Sequence, residues 1–225
     1  MPMGYKVRKA TLPLLPKGAK PITVLHFSDL HLTPNKKREI KQIKSFINLA
    51  PDLVISTGDF LAHPDAVGPV LNALDDLLDL PGLFVFGSND YYAPKFKNPF
   101  SYLRKDHGNI KLGKKLPTTK LRNGLTKRGW LDLNHNKVKI KVNGNLIEAR
   151  GTDDAHLELD NYPLVAGRVS AKCDLSIGVT HAPYERVLAA MAQDKLDLIF
   201  AGHTHGGQVR VPWFGGSKSL TTNCD

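Results

Sequence analysis

With 225 residues, 41% of them hydrophobic and 23% charged, the chain has the size of one globular domain, residues 1–225. No apolar run is long enough to cross a bilayer, and Met1 to Lys20 reads as no signal peptide. Two distant cysteines, Cys173 and Cys224, make no disulfide framework, so a reduced, cytoplasmic setting is expected. The formal net charge of +10 is local. Lys95 to Lys141 holds fourteen Lys or Arg against two acids, Asp106 and Asp132, and the remainder is slightly acidic. This basic excursion, at about 91–142, would attract an anionic substrate, a membrane surface or nucleic acid, or merely keep the segment solvated.

Tyr5 to Leu15 reads as an edge strand stopped by Pro13 and Pro16. Ile22 to Ser28 is a β-branched, apolar run typical of a buried strand, and it ends at Asp29-Leu-His31. From Pro34 to Ala50, Ile40, Ile43 and Ile47 recur at helical spacing, and Pro51 ends the helix. Leu53 to Ser56 is a second strand, ending at Gly58-Asp59. Val67 to Leu78 predicts an amphipathic helix, Leu83 to Phe86 a third strand, and Gly87-Ser-Asn89-Asp90 follows it. Three strand–polar-loop–helix units in succession predict parallel pairing with helices on the faces.

Tyr91 to Lys115 carries little regular signal, and a helix is expected at about Pro117 to Arg128. Trp130 to Leu133, Lys137 to Val142 and Leu146 to Gly151 read as short strands. Asn143-Gly144 between the last two is a hairpin signal. Asp153 to Ala171 reads as loop with one helical turn. Asp174 to Val179 is a strand ending at Thr180-His181, and Tyr184 to Met191 is a core-packing helix. Leu196 to Phe200 is a strand leading into Ala201-Gly-His203-Thr-His205-Gly-Gly207, and Val209 to Val211 begins another.

In parallel α/β sheets ligands bind beyond the carboxyl ends of the strands. Asp29, His31, Asp59, Asn89, His181, His203 and His205 all fall there. That is too many donors for one tetrahedral ion and about right for two five- or six-coordinate ions sharing a carboxylate. Mixed nitrogen and oxygen donors without thiolate suit Mn, Fe, Zn or Co and disfavour calcium.

Asp29-x-His31, Gly58-Asp59, Gly-x-Asn89, Thr-His181 and Gly202-His-x-His205, in this order, resemble the signatures of the calcineurin-like metallophosphoesterases, from about Val24 to Val211. The form Gly-His-Thr-His-Gly-Gly-Gln208 is similar to a bacterial branch with membrane-associated and lipid-directed members. The resemblance implies a four-layer α/β/β/α sandwich of mixed sheets flanked by helices. It implies Asp29, His31 and His205 on one metal, Asn89, His181 and His203 on the other, and Asp59 bridging them. It implies hydrolysis of a phosphomonoester, phosphodiester or pyrophosphate bond by a bridging hydroxide, on a lipid-linked or nucleotide-type substrate. The alternative on the same fold is a catalytically silent binding scaffold, which the intact ligand set argues against.

Two features depart from the family. Many members place a histidine after the ligand asparagine; here Asp90 stands there, either as general acid or as a group that orients a ligand. Relatives also continue past the His-rich loop, so the chain reads as shortened or as a fragment. His63 and Asp65, just past Asp59, are placed to touch substrate but read rather as loop or N-cap residues, and His26 reads as a satisfied core residue. His156 with Asp153 and Asp154 is placed to line the site mouth but reads rather as plain loop chemistry. Lys95 to Lys141 has no nucleic-acid-binding signature, and peripheral contact with an anionic membrane is the preferred expectation for it.

Overall fold

The computed structural model describes residues 4–94 and 112–204. The first sheet contains β1 (Val24–Phe27), β2 (Leu53–Ser56), β3 (Gly82–Phe84) and β4 (Leu131–Asp132), in that order and all parallel. The second contains β5 (Lys137–Val142), β6 (Asn145–Gly151), β7 (Leu175–Val179) and β8 (Leu198–Phe200). There β5 and β6 form an antiparallel hairpin, and β6, β7 and β8 run parallel. The hairpin turns at Asn143 and Gly144, whose φ angles of 51° and 85° are both positive. That is what a two-residue type I′ turn demands, and Asn-Gly adopts it at little cost.

Side-chain alternation sorts the first sheet into two faces. Leu53 and Ile55 of β2, with Leu83 of β3, pack against Ile147, Ala149, Ile177 and Val179 of the second sheet. Val54 and Phe84 point the other way, onto Ile43 of α1 (Lys37–Lys44), Val70 and Leu74 of α2 (Val67–Leu74) and Leu121 and Leu125 of α4 (Thr118–Lys127). On the far side of the second sheet, Val187 and Met191 of α5 (Glu185–Gln193) pack with Ile199 of β8 and with Ala155, Tyr162 and Val165. The result is helix, sheet, sheet, helix. Every residue of β2 is buried because both its faces are covered, which explains its unbroken apolar run.

Several elements differ in extent from the sequence reading. Tyr5 to Leu15 forms no strand. Pro13 and Pro16 lack donors for a ladder, and Tyr5 is instead paired through a side chain. Its N–H donates to Gln42 Oε1 at 2.8 Å, and Gln42 Nε2 donates to the Tyr5 carbonyl at 2.6 Å. The helix after β1 begins only at Lys37 and tightens into a 3₁₀ turn, Ser45–Leu49, which Ala50 closes at φ 48° before Pro51. His26 is exposed rather than a core residue, with Nε2 3.0 Å from Thr57 Oγ1. The one helical turn expected after Asp153 is the 3₁₀ segment Tyr162–Leu164.

Of the basic excursion, Lys137, Lys139 and Lys141 are exposed on alternate positions of β5. Lys95 to Lys111 lies outside the described residues, as do His107, His205, Gln208, Val209 to Val211 and Cys224. Among the described residues no helix is long and apolar enough to cross a membrane.

Candidate metal centre

The strands deliver their polar residues to one rim. Asp29 and His31 follow β1, Asp59 follows β2, and Asn89 lies in the single-turn helix α3 (Ser88–Tyr91) after β3. His181 and His203 follow β7 and β8 of the other sheet. Sheet pairing continues into these loops. Asp29 N–H donates to the Gly58 carbonyl at 2.9 Å, His31 N–H to Asp59 at 2.9 Å, and Gly202 N–H to His181 at 2.8 Å. The backbone then reverses sharply. Asp29, His31, Asp59 and His203 sit at φ of 56°, 42°, 57° and 68°. This left-handed region is uncommon for residues with a Cβ, though Asp and His tolerate it better than most. It costs about 1–3 kcal/mol per residue and clusters at functional sites.

Asp59 is the centre of the group, with 1% of its surface exposed. Its Oδ2 lies 3.6 Å from His31 Nε2, and its Oδ1 lies 3.6 Å from His181 Nε2. Asn89 donates to it twice, from the backbone to Oδ1 at 2.8 Å and from Nδ2 to Oδ2 at 2.6 Å. His31 Nε2 is 3.8 Å from Asp29 Oδ1, and His203 N–H donates to Asp29 Oδ2 at 3.0 Å. His203 Nδ1 is 3.2 Å from His181 Nε2. Six of the seven residues selected from the sequence therefore meet around one carboxylate; the seventh, His205, lies outside the described residues.

Three observations test whether these residues suit metal ions. The donors are carboxylate, amide and imidazole, and one ligand atom each of Asp29, His31 and Asp59 lies within 4.8 Å of the others. His181 is fully buried and its Nδ1 is 2.7 Å from the Thr57 carbonyl, which takes the Nδ1 proton and turns the Nε2 lone pair toward Asp59. Gly87 keeps room beside them: a Cβ there would collide with Asp59 Oδ1 and the His181 ring. The donor set and the room kept beside it fit a bound metal ion.

The electrostatics follow from burial and crowding. Burial pushes the His203 pKa down to about 4, helped by the neighbouring His181 and His156. His181 is also disfavoured as a cation by burial, yet Asp59, Asp154 and Asp29 outweigh this and raise its pKa. Asp90 is fully buried, and both its oxygens accept from the backbone. Oδ2 takes Asp59 N–H at 2.8 Å and Gly87 N–H at 3.0 Å; Oδ1 takes Phe60 at 2.8 Å and Leu61 at 3.2 Å. Burial and the charge on Asp59 push the Asp90 pKa up, while these N–H donors oppose the shift. Since they use both oxygens as acceptors, the ionised form matches the bonds.

Other histidines separate clearly. His63 Nδ1 accepts from Asp65 N–H at 3.1 Å and caps a 3₁₀ turn, Pro64–Ala66, in the N-cap role expected of it. His135 Nε2 accepts from Asn161 N–H at 3.0 Å. For His156 the alternative to loop chemistry, a place at the site mouth, is the one the geometry favours: its ring centroid is 4.9 Å from that of His203. Asp154, read together with His156, is fully buried, and its pKa rises to about 6, chiefly through desolvation. The available signal was position. Asp153-Asp-Ala-His156 follows the carboxyl end of β6, on the same rim as the other loops.

Comparison with known proteins agrees with this architecture. Residues 22–207 match the family described as calcineurin-like phosphoesterase. The chain is 30% identical to the uncharacterized protein YpbG of Bacillus subtilis, over 94% of this chain and 72% of that one. It is 29% identical to the uncharacterized metallophosphoesterase YkuE of the same organism, over 90% of this chain and 64% of that protein. With YkoQ, a third protein of that organism described in the same terms as YkuE, it shares 27% identity over 86% of its own length and 64% of the relative's. The chain thus spans less than two thirds of the length of two of these relatives. With its two sheets, their flanking helices and the matched residues covering most of its length, the chain belongs to the calcineurin-like phosphoesterase family.

Proposed function

We propose that the chain hydrolyses a phosphoric ester with the help of two transition-metal ions, Mn, Fe, Zn or Co. Asp29, His31 and His205 would hold one ion, Asn89, His181 and His203 the other, and Asp59 both. When bound, such a pair lowers the pKa of a water between the ions and stabilises the entering and leaving oxygens of an in-line displacement. The observation that carries this reading is the convergence on Asp59, where imidazoles from opposite sheets lie 3.6 Å from its two oxygens.

The chain's own contribution is positioning. Thr57 sets the tautomer of His181, and Asn89 fixes the Asp59 carboxylate by two bonds. Of the two roles open to Asp90, we favour orientation. Its oxygens are engaged by residues 59–61 and 87, so it holds the Asp59 turn against the turn that carries Asn89. A phosphomonoester, a phosphodiester and a pyrophosphate all remain substrates of this chemistry, because selectivity resides in the surrounding loops.

The test is to load the purified protein separately with manganese, iron and zinc, measure bound metal, and assay aryl phosphate and bis-aryl phosphate hydrolysis. Retention of metal, with activity lost in Asp59→Ala, is the expected outcome. A protein that retains no transition metal and shows no hydrolysis that Asp59→Ala abolishes would be the silent scaffold instead.

A further inference from the structure

We propose that His156 is a substrate-contacting residue, donating a hydrogen bond from Nε2 to a phosphoryl oxygen and held for this by Tyr184 and Arg186. The proposal rests on the phosphoesterase reading above.

The ring of His156 lies 4.9 Å from that of His203, which in turn lies 5.1 Å from that of His181. His181 is fully buried whereas His203 and His156 are half-buried, so the chain of rings leads from the buried centre toward the surface. The outermost ring is built into a strut. Tyr184 Oη is 3.0 Å from His156 Nδ1. The Arg186 guanidinium lies 4.7 Å from the centroid of the Tyr184 ring. Arg186 is fixed by Asp160, at 2.6 and 3.0 Å, and by the carbonyl of Ala155 at 2.9 Å, the residue just before His156. A loop histidine that only meets solvent requires no such support. The strut fixes the plane of the imidazole, and preorganised donors are what anionic oxygens reward.

The same contact admits the tautomer this role needs. Where the Tyr184 hydroxyl donates to Nδ1, the ring proton resides on Nε2, which can then donate. The family resemblance expects a donor histidine after the ligand asparagine. Here Asp90 occupies that position, and its oxygens are turned to backbone N–H groups within the protein. His156 supplies a donor from the loop after β6 on the other sheet.

The experiment compares wild type, His156→Ala, His156→Gln and Tyr184→Phe, all loaded with manganese. It measures metal content, KM and kcat on an aryl phosphate, and affinity for inorganic phosphate by calorimetry. The expected result is unchanged metal content with phosphate affinity lowered about tenfold or more in His156→Ala, as for a lost bond to a charged group. KM should rise in parallel. His156→Gln, which keeps an N–H donor, should recover part of the loss, and Tyr184→Phe should show a smaller one. Unchanged phosphate affinity in His156→Ala would overturn the proposal. Loss of metal together with affinity would also overturn it, making His156 a support of the centre. A wild type that binds neither metal nor phosphate would instead bring down the phosphoesterase reading, and the proposal with it.

Discussion

Asp90→Asn distinguishes the two roles that the sequence leaves open for this residue. The substitution keeps the shape but turns one acceptor oxygen into an NH₂ group. That group then faces two backbone donors, either Asp59 and Gly87 or Phe60 and Leu61, all now 2.8–3.2 Å from the carboxylate. Each buried donor left unsatisfied costs about 1–3 kcal/mol. Two of them give a loss of about 2–6 kcal/mol, or about 4–24 °C in Tm for a chain of this size. The displaced turn carries Asp59, so metal content should fall with stability. Thermal unfolding and metal analysis read both effects.

A general acid behaves differently. Its amide variant keeps stability and metal, loses kcat, and loses one limb of the pH–rate profile. If Asp90→Asn unfolds within about 2 °C of wild type and holds its full metal complement, the positioning argument is wrong.

Two further substitutions probe charges that the site or the fold must tolerate. Asp154 is fully buried, its Oδ1 has no hydrogen-bond partner among the described residues, and its pKa is raised from the ordinary 3.8 to about 6, mainly by desolvation. The folded state thus holds this proton more tightly than the unfolded chain does. Its contribution is most favourable below pH 4 and is lost as pH rises through 6, by about 3 kcal/mol in all. In metal-free protein Asp154→Asn should therefore raise Tm at pH 7.5 and flatten the fall between pH 4 and 6; a lower Tm at pH 7.5 would contradict this. Arg150 is also fully buried, bonding Glu148, Asp194 at 2.8 Å and the Gly167 carbonyl at 2.7 Å. Arg150→Met leaves Glu148 buried without its main partner and should cost about 3–5 kcal/mol in a denaturant titration, with Glu148→Leu in the same chain restoring much of it.

Local chemistry made much of the fold legible. Leu53 to Ser56 could be bounded correctly because a strand covered on both faces must be apolar throughout and Pro51 precedes it. Asn143-Gly144 was readable because few dipeptides accept positive φ twice. The six metal-site candidates were readable as strand ends, since parallel sheets put every carboxyl end on one rim. Other properties belong to tertiary structure and leave no local pattern. Nothing near Asp90 in sequence reveals that Asp59, Phe60 and Leu61 aim their N–H groups at it from 29–31 residues away. Nothing around His156 reveals Tyr184, 28 residues on. Tyr5 to Leu15 failed for the converse reason: its pattern suits a strand, but its pairing partner proved to be the side chain of Gln42.

The left-handed turns at Asp29, His31, Asp59 and His203 raise the question of what holds the rim in shape. Four such residues oppose folding by several kcal/mol together. If bound ions alone supplied the compensation, the loops would be expected to relax without them. The bonds point elsewhere. The turns after β1 and β2 are laced by Asp29 N–H to Gly58 and His31 N–H to Asp59, and the turns after β7 and β8 by Gly202 N–H to His181. Asp90 then clamps the Asp59 turn to Gly87, and Thr57 locks His181 across the two sheets. All of these bonds lie within the polypeptide. The strain is thus held by the strands' own continuation, and the donors are preorganised by the chain. Reversal after β1, β2 and β8 is also what allows side chains of opposite sheets to face one another. A relaxed, extended exit would carry Asp59 and His181 apart, so the strain and the convergence are one feature of the fold.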